Sequence, residues 1–128
     1  MAIWAIVPAA GVGKRMGAKV PKQYLSIGGK TILHHTLERL GRVRALSGLV
    51  LVLRPDDKTP ISAEVPQSLS VRIARGGEER CNSVLNALKI LESELASDDW
   101  VLVHDAARPC LRTAEVDGLV EAVGNHNV

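Results

Sequence analysis

The stretch A-I-W-A-I-V-P-A-A-G-V-G-K-R-M (Ala2–Met16) decides the fold, because a short apolar run in it passes directly into a glycine turn. The run Ala2–Val7 has the length and composition of a buried strand that ends at a proline. The turn that follows is made of small residues: Pro8, Ala9, Ala10, Gly11 and Gly13. Glycine lets backbone N–H groups close around an anion. The stretch therefore predicts a buried strand followed by a phosphate-binding loop.

Positive charge is concentrated in the same part of the chain. The first thirty-seven residues contain no Asp or Glu, and their basic residues are Lys14, Arg15, Lys19, Lys22 and Lys30. The whole chain has a formal charge of only +2, so in the remainder eleven basic residues face fourteen acidic ones. The basicity is therefore a local patch. Cations beside backbone N–H groups suit a polyphosphate, whose negative charges are costly to bury unpaired.

Composition argues against several other classes of protein. With 128 residues, 46% of them hydrophobic, the chain is predicted to form one domain over residues 1–128. It has no Phe, one Tyr and two Trp, so it lacks stacking platforms, and we expect no nucleic-acid partner. Cys81 and Cys110 have no metal-like spacing and are predicted to be reduced core residues. The first apolar run is too short for a signal peptide or a membrane span, so we expect a cytoplasmic protein without a membrane partner.

Apolar runs of strand length alternate with segments of helical period, which is typical of a parallel sheet covered on both faces. The predicted strands are Ala2–Val7, Gly48–Leu53, Val71–Ala74 and Trp100–His104. The predicted helices are Thr31–Leu40, Glu79–Leu95 and a last one from Thr113. Their predicted buried stripes are Leu33, Leu37 and Leu40, then Val84, Leu88, Leu91 and Leu95, then Val116, Leu119, Val120 and Val123. The sequence therefore predicts an α/β fold.

Three chemically unusual segments follow predicted strands. They are P-A-A-G-V-G-K-R-M (Pro8–Met16), R-G-G-E-E-R (Arg75–Arg80) and H-D-A-A-R-P (His104–Pro109). Ligands of open parallel sheets bind beyond the carboxyl ends of the strands, so all three are predicted to lie at one edge. Each has a structural alternative, namely a simple turn, a strand cap at Gly76 and Gly77, and a helix N-cap at Asp105. The presence of all three segments at one edge of the sheet favours a binding site.

The glycine loop fits neither of two better-known phosphate motifs. A Walker loop requires Ser or Thr after its lysine, whereas Lys14 is followed by Arg15. A dinucleotide fingerprint requires G-x-G-x-x-G, whereas the glycines here are spaced G-x-G-x-x-x-G. An NAD site also has an acid at the end of the second strand, where this chain has Arg54. An NADP enzyme is left as an alternative, because Arg54 suits a 2′-phosphate.

Four ordered segments resemble the 2-C-methyl-D-erythritol 4-phosphate cytidylyltransferases of non-mevalonate isoprenoid biosynthesis. They are P-A-A-G-V-G-K-R-M, P-K-Q-Y-L-S-I-G-G-K, G-G-E-E-R-C-N-S-V and V-L-V-H-D-A-A-R-P. The first is shared with many nucleotidyltransferases, but the four together are specific. The resemblance implies a Rossmann-like, mainly parallel sheet with helices on both faces, of the nucleotide-diphospho-sugar transferase type. It also implies transfer of CMP from CTP to a polyol phosphate, with release of pyrophosphate and with Mg²⁺ on the triphosphate.

The same resemblance implies a role for individual residues. Arg15 and Lys22 correspond to the catalytic residues that stabilise the transition state. The implied nucleotide-binding residues are Pro8, Ala9, Ala10, Gly11, Gly13, Gly77, Glu78, Ser83, Asp105, Ala106 and Arg108. Asp105 is also the implied magnesium ligand, since a hard cation prefers carboxylate and phosphate oxygens. A helix-face hydroxyl is the alternative for Ser83, and His104 is predicted to be a packed histidine.

The family fold continues beyond the length of this chain, with the acceptor contacts and an arm that is exchanged in a homodimer. The chain is therefore predicted to be the front part of a longer catalytic domain, with the C-terminal part of the family fold absent. One alternative is a ribitol 5-phosphate cytidylyltransferase, although Ala9 and Ala10 favour the isoprenoid enzyme. The other is a non-catalytic nucleotide-binding fragment, which is what we expect if the chain is complete.

Overall fold

The computed structural model describes residues 3–10, 24–43, 46–57, 65, 70–76, 79–96, 99–105, 115, 118–119 and 121–122. In chain order the elements are β1 (Ile3–Ala9), β2 (Ser26–Ile27), β3 (Lys30–Thr31), α1 (Ile32–Gly41), β4 (Gly48–Leu53), β5 (Val71–Arg75), α2 (Arg80–Leu91) and β6 (Trp100–Val103). Residues 115, 118–119 and 121–122 are also helical. None of the helices in these residues is long and apolar enough to cross a bilayer.

Four parallel strands form the main sheet, in the order β5-β4-β1-β6. Register pairs such as Trp4↔Gly48, Ile3↔Trp100 and Leu49↔Val71 align the strands from their amino ends. The predicted strand Gly48–Leu53 is confirmed at both ends, and the predicted α/β fold with a parallel sheet is confirmed.

Each face of the sheet packs against its own helix. On one face, the α1-side cluster joins odd-numbered residues of β1 and β4 to Leu33, Leu37 and Leu40 of α1. On the other face, the α2-side cluster joins even-numbered residues of the same strands to Ala87 and Leu91 of α2. Successive side chains of a strand point to opposite faces, so a strand buried on both faces is apolar throughout. This is why β1 and β4 are continuous hydrophobic runs.

The first strand extends further than its sequence indicates. The prediction that it stops at Val7 is wrong, because Pro8 and Ala9 pair with Val52 and Leu53 of β4. Backbone groups of β1 point alternately to its two neighbours: the carbonyl of Ile3 accepts from Ser47, while that of Ile6 accepts from His104 past the end of β6. Pro8 shares the orientation of Ile6, so its nitrogen lies beyond the last β6 pair. The missing N–H therefore costs no ladder hydrogen bond.

The helices agree with their predicted stripes more closely than with their predicted ends. The Thr31 Oγ1 accepts from the His34 N–H at 3.0 Å, which caps α1. The second helix ends at Leu91 rather than Leu95, although Leu95 still packs against the α2-side cluster.

Two predictions of burial are wrong. Leu119 is 50% exposed, and Cys81 is an exposed free thiol in the first turn of α2. Periodicity predicts a helix, but burial also requires a surface for that helix to pack against. Cys110 lies outside the described residues.

A short hairpin between β2 and β3 was not predicted. Ser26 pairs with Thr31 and Ile27 with Lys30 in antiparallel register. Gly28 and Gly29 form the turn with φ angles of 62° and 83°, a region that favours glycine. The dipeptide Gly-Gly between two short runs was the signal that sequence reasoning overlooked.

Candidate functional site

The winding of the chain reverses beside β1. From β1 the chain passes to β4 and β5 on one side, and it then crosses to β6 on the other. Such a reversal opens a crevice at the carboxyl ends of the two diverging strands, which is where open α/β sheets bind ligands. Here the crevice lies between the ends of β1 and β6.

Two predicted segments meet at this crevice. Pro8 and Ala9 complete β1 and Ala10 follows it. The His104 N–H donates to the Ile6 carbonyl at 2.9 Å, which continues the β6 pairing by one residue. Asp105 follows immediately and is partly buried. Asp105 is therefore the next residue after the one that pairs with the end of β1.

The third segment reaches the same edge through Gly76. A Cβ on Gly76 would lie 2.6 Å from the Ala10 Cβ and 2.6 Å from the Ser83 Oγ, far inside van der Waals contact. The Gly76 N–H donates to the Leu53 carbonyl at 2.7 Å, which places the residue against the end of β4. The ends of β1 and β5 and the start of α2 thus meet with no room for a side chain. The sequence placed Gly76 in a predicted site segment but gave it no role of its own, with a strand cap as the alternative.

Ser83 lies inside this junction. It is 2% exposed, and its Oγ lies 3.5 Å from the carbonyl of Glu79, one turn earlier in α2. That long contact is the one a structural helix hydroxyl makes. The nucleotide-binding role implied for Ser83 stays a prediction. The helix begins at the carboxyl edge of the sheet, where the Asn82 Oδ1 accepts from the Glu79 N–H at 3.2 Å.

A second group of contacts joins the strand ends on the β4 side. The Tyr24 hydroxyl donates to the Asp57 Oδ2 at 2.6 Å. Arg75, the last residue of β5, donates from Nη1 to the carbonyls of Arg54 at 3.1 Å and Asp57 at 3.3 Å. Sequence reasoning assigned no role to Tyr24, Asp57 or Arg75, although Tyr24 belongs to the quoted segment P-K-Q-Y.

Of the predicted site residues, the structure describes five, all at the carboxyl edge: Pro8, Ala9, Ala10, Ser83 and Asp105. The others lie outside the described residues: Gly11, Gly13, Arg15, Lys22, Gly77, Glu78, Ala106 and Arg108. Their roles stay predictions.

Asp105 is the residue to consider for a metal. The described part of the chain contains no group of three or more His, Cys, Asp or Glu side chains placed to hold an ion. Mg²⁺ on a nucleotide needs only one or two protein carboxylates, because substrate phosphates and water fill its other positions. The donor set at the crevice therefore fits a nucleotide-bound magnesium ion.

The family model described as IspD, 2-C-methyl-D-erythritol 4-phosphate cytidylyltransferase, matches residues 3–128. The chain belongs to this family. A protein of that name from Hahella chejuensis is 48% identical over 124 residues, which cover 96% of this chain and 51% of the relative. Another from Pseudomonas entomophila is 47% identical over 128 residues, covering 99% and 54%. The chain thus spans about half the length of the curated relatives it matches.

Solved structures of the family share the fold. A crystal structure of 4-diphosphocytidyl-2C-methyl-D-erythritol synthase superposes with a TM-score of 0.78 at 35% identity, covering 97% of this chain and 54% of the other. The Francisella tularensis 2-C-methyl-D-erythritol 4-phosphate cytidylyltransferase gives 0.75 at 33% identity, covering 99% and 54%. The Rossmann-like architecture predicted from the sequence is therefore that of the family, and about half of the family chain is represented here.

Proposed function

We propose that this chain is the CTP-binding part of an enzyme that transfers CMP from CTP to 2-C-methyl-D-erythritol 4-phosphate and releases pyrophosphate. The observation that carries the proposal is the meeting of three segments at the carboxyl edge, through Ala10, Gly76 and His104. Membership of the cytidylyltransferase family supplies the chemistry that such an edge would serve.

The reaction is an in-line displacement at phosphorus. An oxygen of the acceptor phosphate forms a bond to the α-phosphorus of CTP, and the bond from that phosphorus to the bridging oxygen breaks, so pyrophosphate leaves with the electron pair. The attacking oxygen is already anionic at neutral pH, so no strong general base is needed. Catalysis then depends on positioning and on stabilising the charge of the transition state.

Each predicted residue has a place in this scheme. The small residues Pro8–Ala10 bring the backbone against the nucleotide, and Gly11 and Gly13 extend that contact. Arg15 and Lys22 stabilise the transition state. The residues that line the base, the ribose and the opposite wall are Gly77, Glu78, Ser83, Ala106 and Arg108.

Asp105 would hold Mg²⁺ together with the nucleotide phosphates, and the ion would neutralise phosphate charge. We place the acceptor contacts and the homodimer interface in the part of the family fold beyond this chain. The cytoplasmic location stays a prediction.

The first test is nucleotide binding. Calorimetric titration of the 128-residue chain with CTP, UTP and ATP in the presence of Mg²⁺ should show saturable binding that favours CTP, with circular dichroism confirming a folded sample. A folded chain that binds none of the three would contradict the proposal.

The second test is transfer, using a hybrid in which this chain is followed by the C-terminal part of the Pseudomonas entomophila relative. We expect CTP-dependent pyrophosphate release with 2-C-methyl-D-erythritol 4-phosphate and little with ribitol 5-phosphate. The opposite preference would identify the ribitol enzyme, and binding without turnover would favour the non-catalytic fragment.

A further inference from the structure

The segment that contains the predicted cations runs between two described residues, Ala10 and Tyr24, that are both held at the sheet. It leaves β1 at Ala10, directly after Ala9 pairs with Leu53 of β4. It returns at Tyr24, whose hydroxyl bonds to Asp57, four residues beyond Leu53. The described residues on either side of positions 11–23 are thus both held beside the carboxyl end of β4.

Tyr24 is held by a short hydrogen bond to the Asp57 carboxylate. At 2.6 Å the Tyr24–Asp57 contact has the length of a hydrogen bond from a hydroxyl to a charged carboxylate, roughly twice as strong as a neutral pair. The tyrosine packs against the α1-side cluster, so its ring and its hydroxyl are both held. The contact joins residues 33 positions apart in sequence.

The residues on either side of this contact are also held. The loop after β4 is tied down by Arg75, which donates to the carbonyls of Arg54 and Asp57. On the other side, the Ile32 N–H donates to the Leu25 carbonyl at 2.8 Å, which ties the residue after Tyr24 to the start of α1. The Tyr24–Asp57 bond therefore joins two segments that are each held by further hydrogen bonds.

Lys22 is only two residues from this point in sequence, and two residues of chain span at most about 7 Å. We propose that Tyr24 and Asp57 are positioning residues that hold the end of the cationic segment in place, so that Lys22 is presented to the CTP phosphates. This inference rests on the proposed function. A displacement of about 1 Å at a reacting centre can cost on the order of a hundredfold in rate, so such an anchor has a measurable effect.

Kinetics of the hybrid test the inference. Tyr24→Phe keeps the ring and removes the hydroxyl, and Asp57→Ala removes the acceptor. Each should lower kcat for pyrophosphate release by on the order of tenfold, with a smaller change in the KM for CTP. The double variant should be no worse than Asp57→Ala alone, because the bond that Tyr24→Phe removes is already lost in Asp57→Ala. Asp56→Ala is the matched control, since Asp56 pairs with Arg54 at 2.8 Å and should keep the wild-type rate.

Adding Tyr24→Phe to a Lys22→Ala variant distinguishes a loss of Lys22 positioning from a general loss of structure. In Lys22→Ala, the further change Tyr24→Phe should have almost no effect on kcat, because the residue to be positioned is gone. Independent, multiplying losses would overturn the inference, as would wild-type rates in both Tyr24→Phe and Asp57→Ala. A folded wild-type hybrid that is inactive and binds no CTP would overturn the proposed function and this inference together.

A spectroscopic measurement tests the bond without activity. Tyr24 is the single tyrosine of the chain, so labelling with 3-fluorotyrosine yields one ¹⁹F resonance. Asp57→Ala should shift this resonance and Asp56→Ala should leave it in place. An unchanged resonance in folded Asp57→Ala would overturn the inference whatever the activity of the hybrid.

Discussion

Gly76 shows how one missing side chain sets the geometry of the edge. A Cβ at this position would lie closest to Ala10, which follows β1, and to Ser83, which belongs to α2. Any side chain here would push the end of β1 away from α2. A glycine that looks like a strand cap in the sequence is therefore a spacer between two parts of the proposed nucleotide site.

Replacing Gly76 with Ala should destabilise the chain by about 1–3 kcal/mol, the usual cost of forcing a methyl group into a packed junction. We also expect weaker CTP binding. Gly118→Ala is the matched control, because a Cβ there meets nothing within 4 Å and Ala favours the helix. Urea unfolding and calorimetry measure both effects. Equal stability of the two variants would contradict the close approach at Gly76.

Lys22 and Arg15 are predicted to act on the transition state. Lys22→Ala or Arg15→Ala in the hybrid should lower kcat/KM by on the order of a hundred- to a thousandfold, or about 3 kcal/mol each. Lys89→Ala, which removes an exposed lysine from the last turn of α2, should keep the wild-type rate. Full pyrophosphate release by folded Lys22→Ala would rule out the mechanism proposed above.

At the scale of elements, the β2–β3 hairpin is joined to α1 through Glu38. Lys30 Nζ lies 3.1 Å from the Glu38 carboxylate, and His34 Nε2 and Arg42 Nη2 approach it at 3.4 Å and 3.2 Å. The hydrogen bond from Lys30, followed by its charge and that of Arg42 and His34, holds the pKa of Glu38 below its ordinary value. The His35 Nε2 also lies 2.7 Å from the Ile27 carbonyl. The hairpin therefore has two side-chain links to the helix.

These links predict a pH dependence of stability. Because the pKa of Glu38 is lower in the folded chain than in the unfolded chain, its ionised form stabilises the fold above the unfolded pKa, and this contribution is lost as pH falls through the folded pKa. Glu38→Gln should lower Tm at pH 7, and the gap to wild type should close in acid. Glu121→Gln, a change at an exposed glutamate, is the control. A gap that stays constant down to pH 2 would contradict the assignment.

At the scale of the whole molecule, the two faces of the sheet share the same strands. Tyr24 packs on the α1 side, whereas Trp4 packs on the α2 side, where the Arg72 guanidinium lies 5.7 Å from its ring centroid. Side chains from β1 and β4 enter both clusters, so neither face can lose its packing without disturbing the other. One cooperative domain is the expected result.

Unfolding should therefore give one transition by two probes, tryptophan fluorescence and the ¹⁹F signal of Tyr24. Leu37→Ala, on the α1 side, should lower the free energy of unfolding by about 2–5 kcal/mol and shift both curves together. Leu85→Ala, at a side chain that is 48% exposed, should change it by less than about 1 kcal/mol. Two separate transitions would contradict the predicted single domain.

Local patterns were sufficient to predict most elements. The bounds of β4 follow from a run of apolar residues, and the stripe Leu33, Leu37 and Leu40 follows from helical spacing, because both depend on neighbours in sequence. The four ordered segments were sufficient for the family. The three unusual segments that follow predicted strands were sufficient to predict a shared edge, since parallel strands with crossover connections bring their carboxyl ends together.

Contacts between distant parts of the chain could not be predicted from local sequence patterns. The close approach at Gly76, the Tyr24–Asp57 bond and the pairing of Pro8 depend on which elements lie side by side and in what register. The exposure of Leu119 and Cys81 depends on which surfaces are covered. Periodicity along the chain records the tendency of a residue to be buried, but the partner that buries it is chosen only when the elements pack.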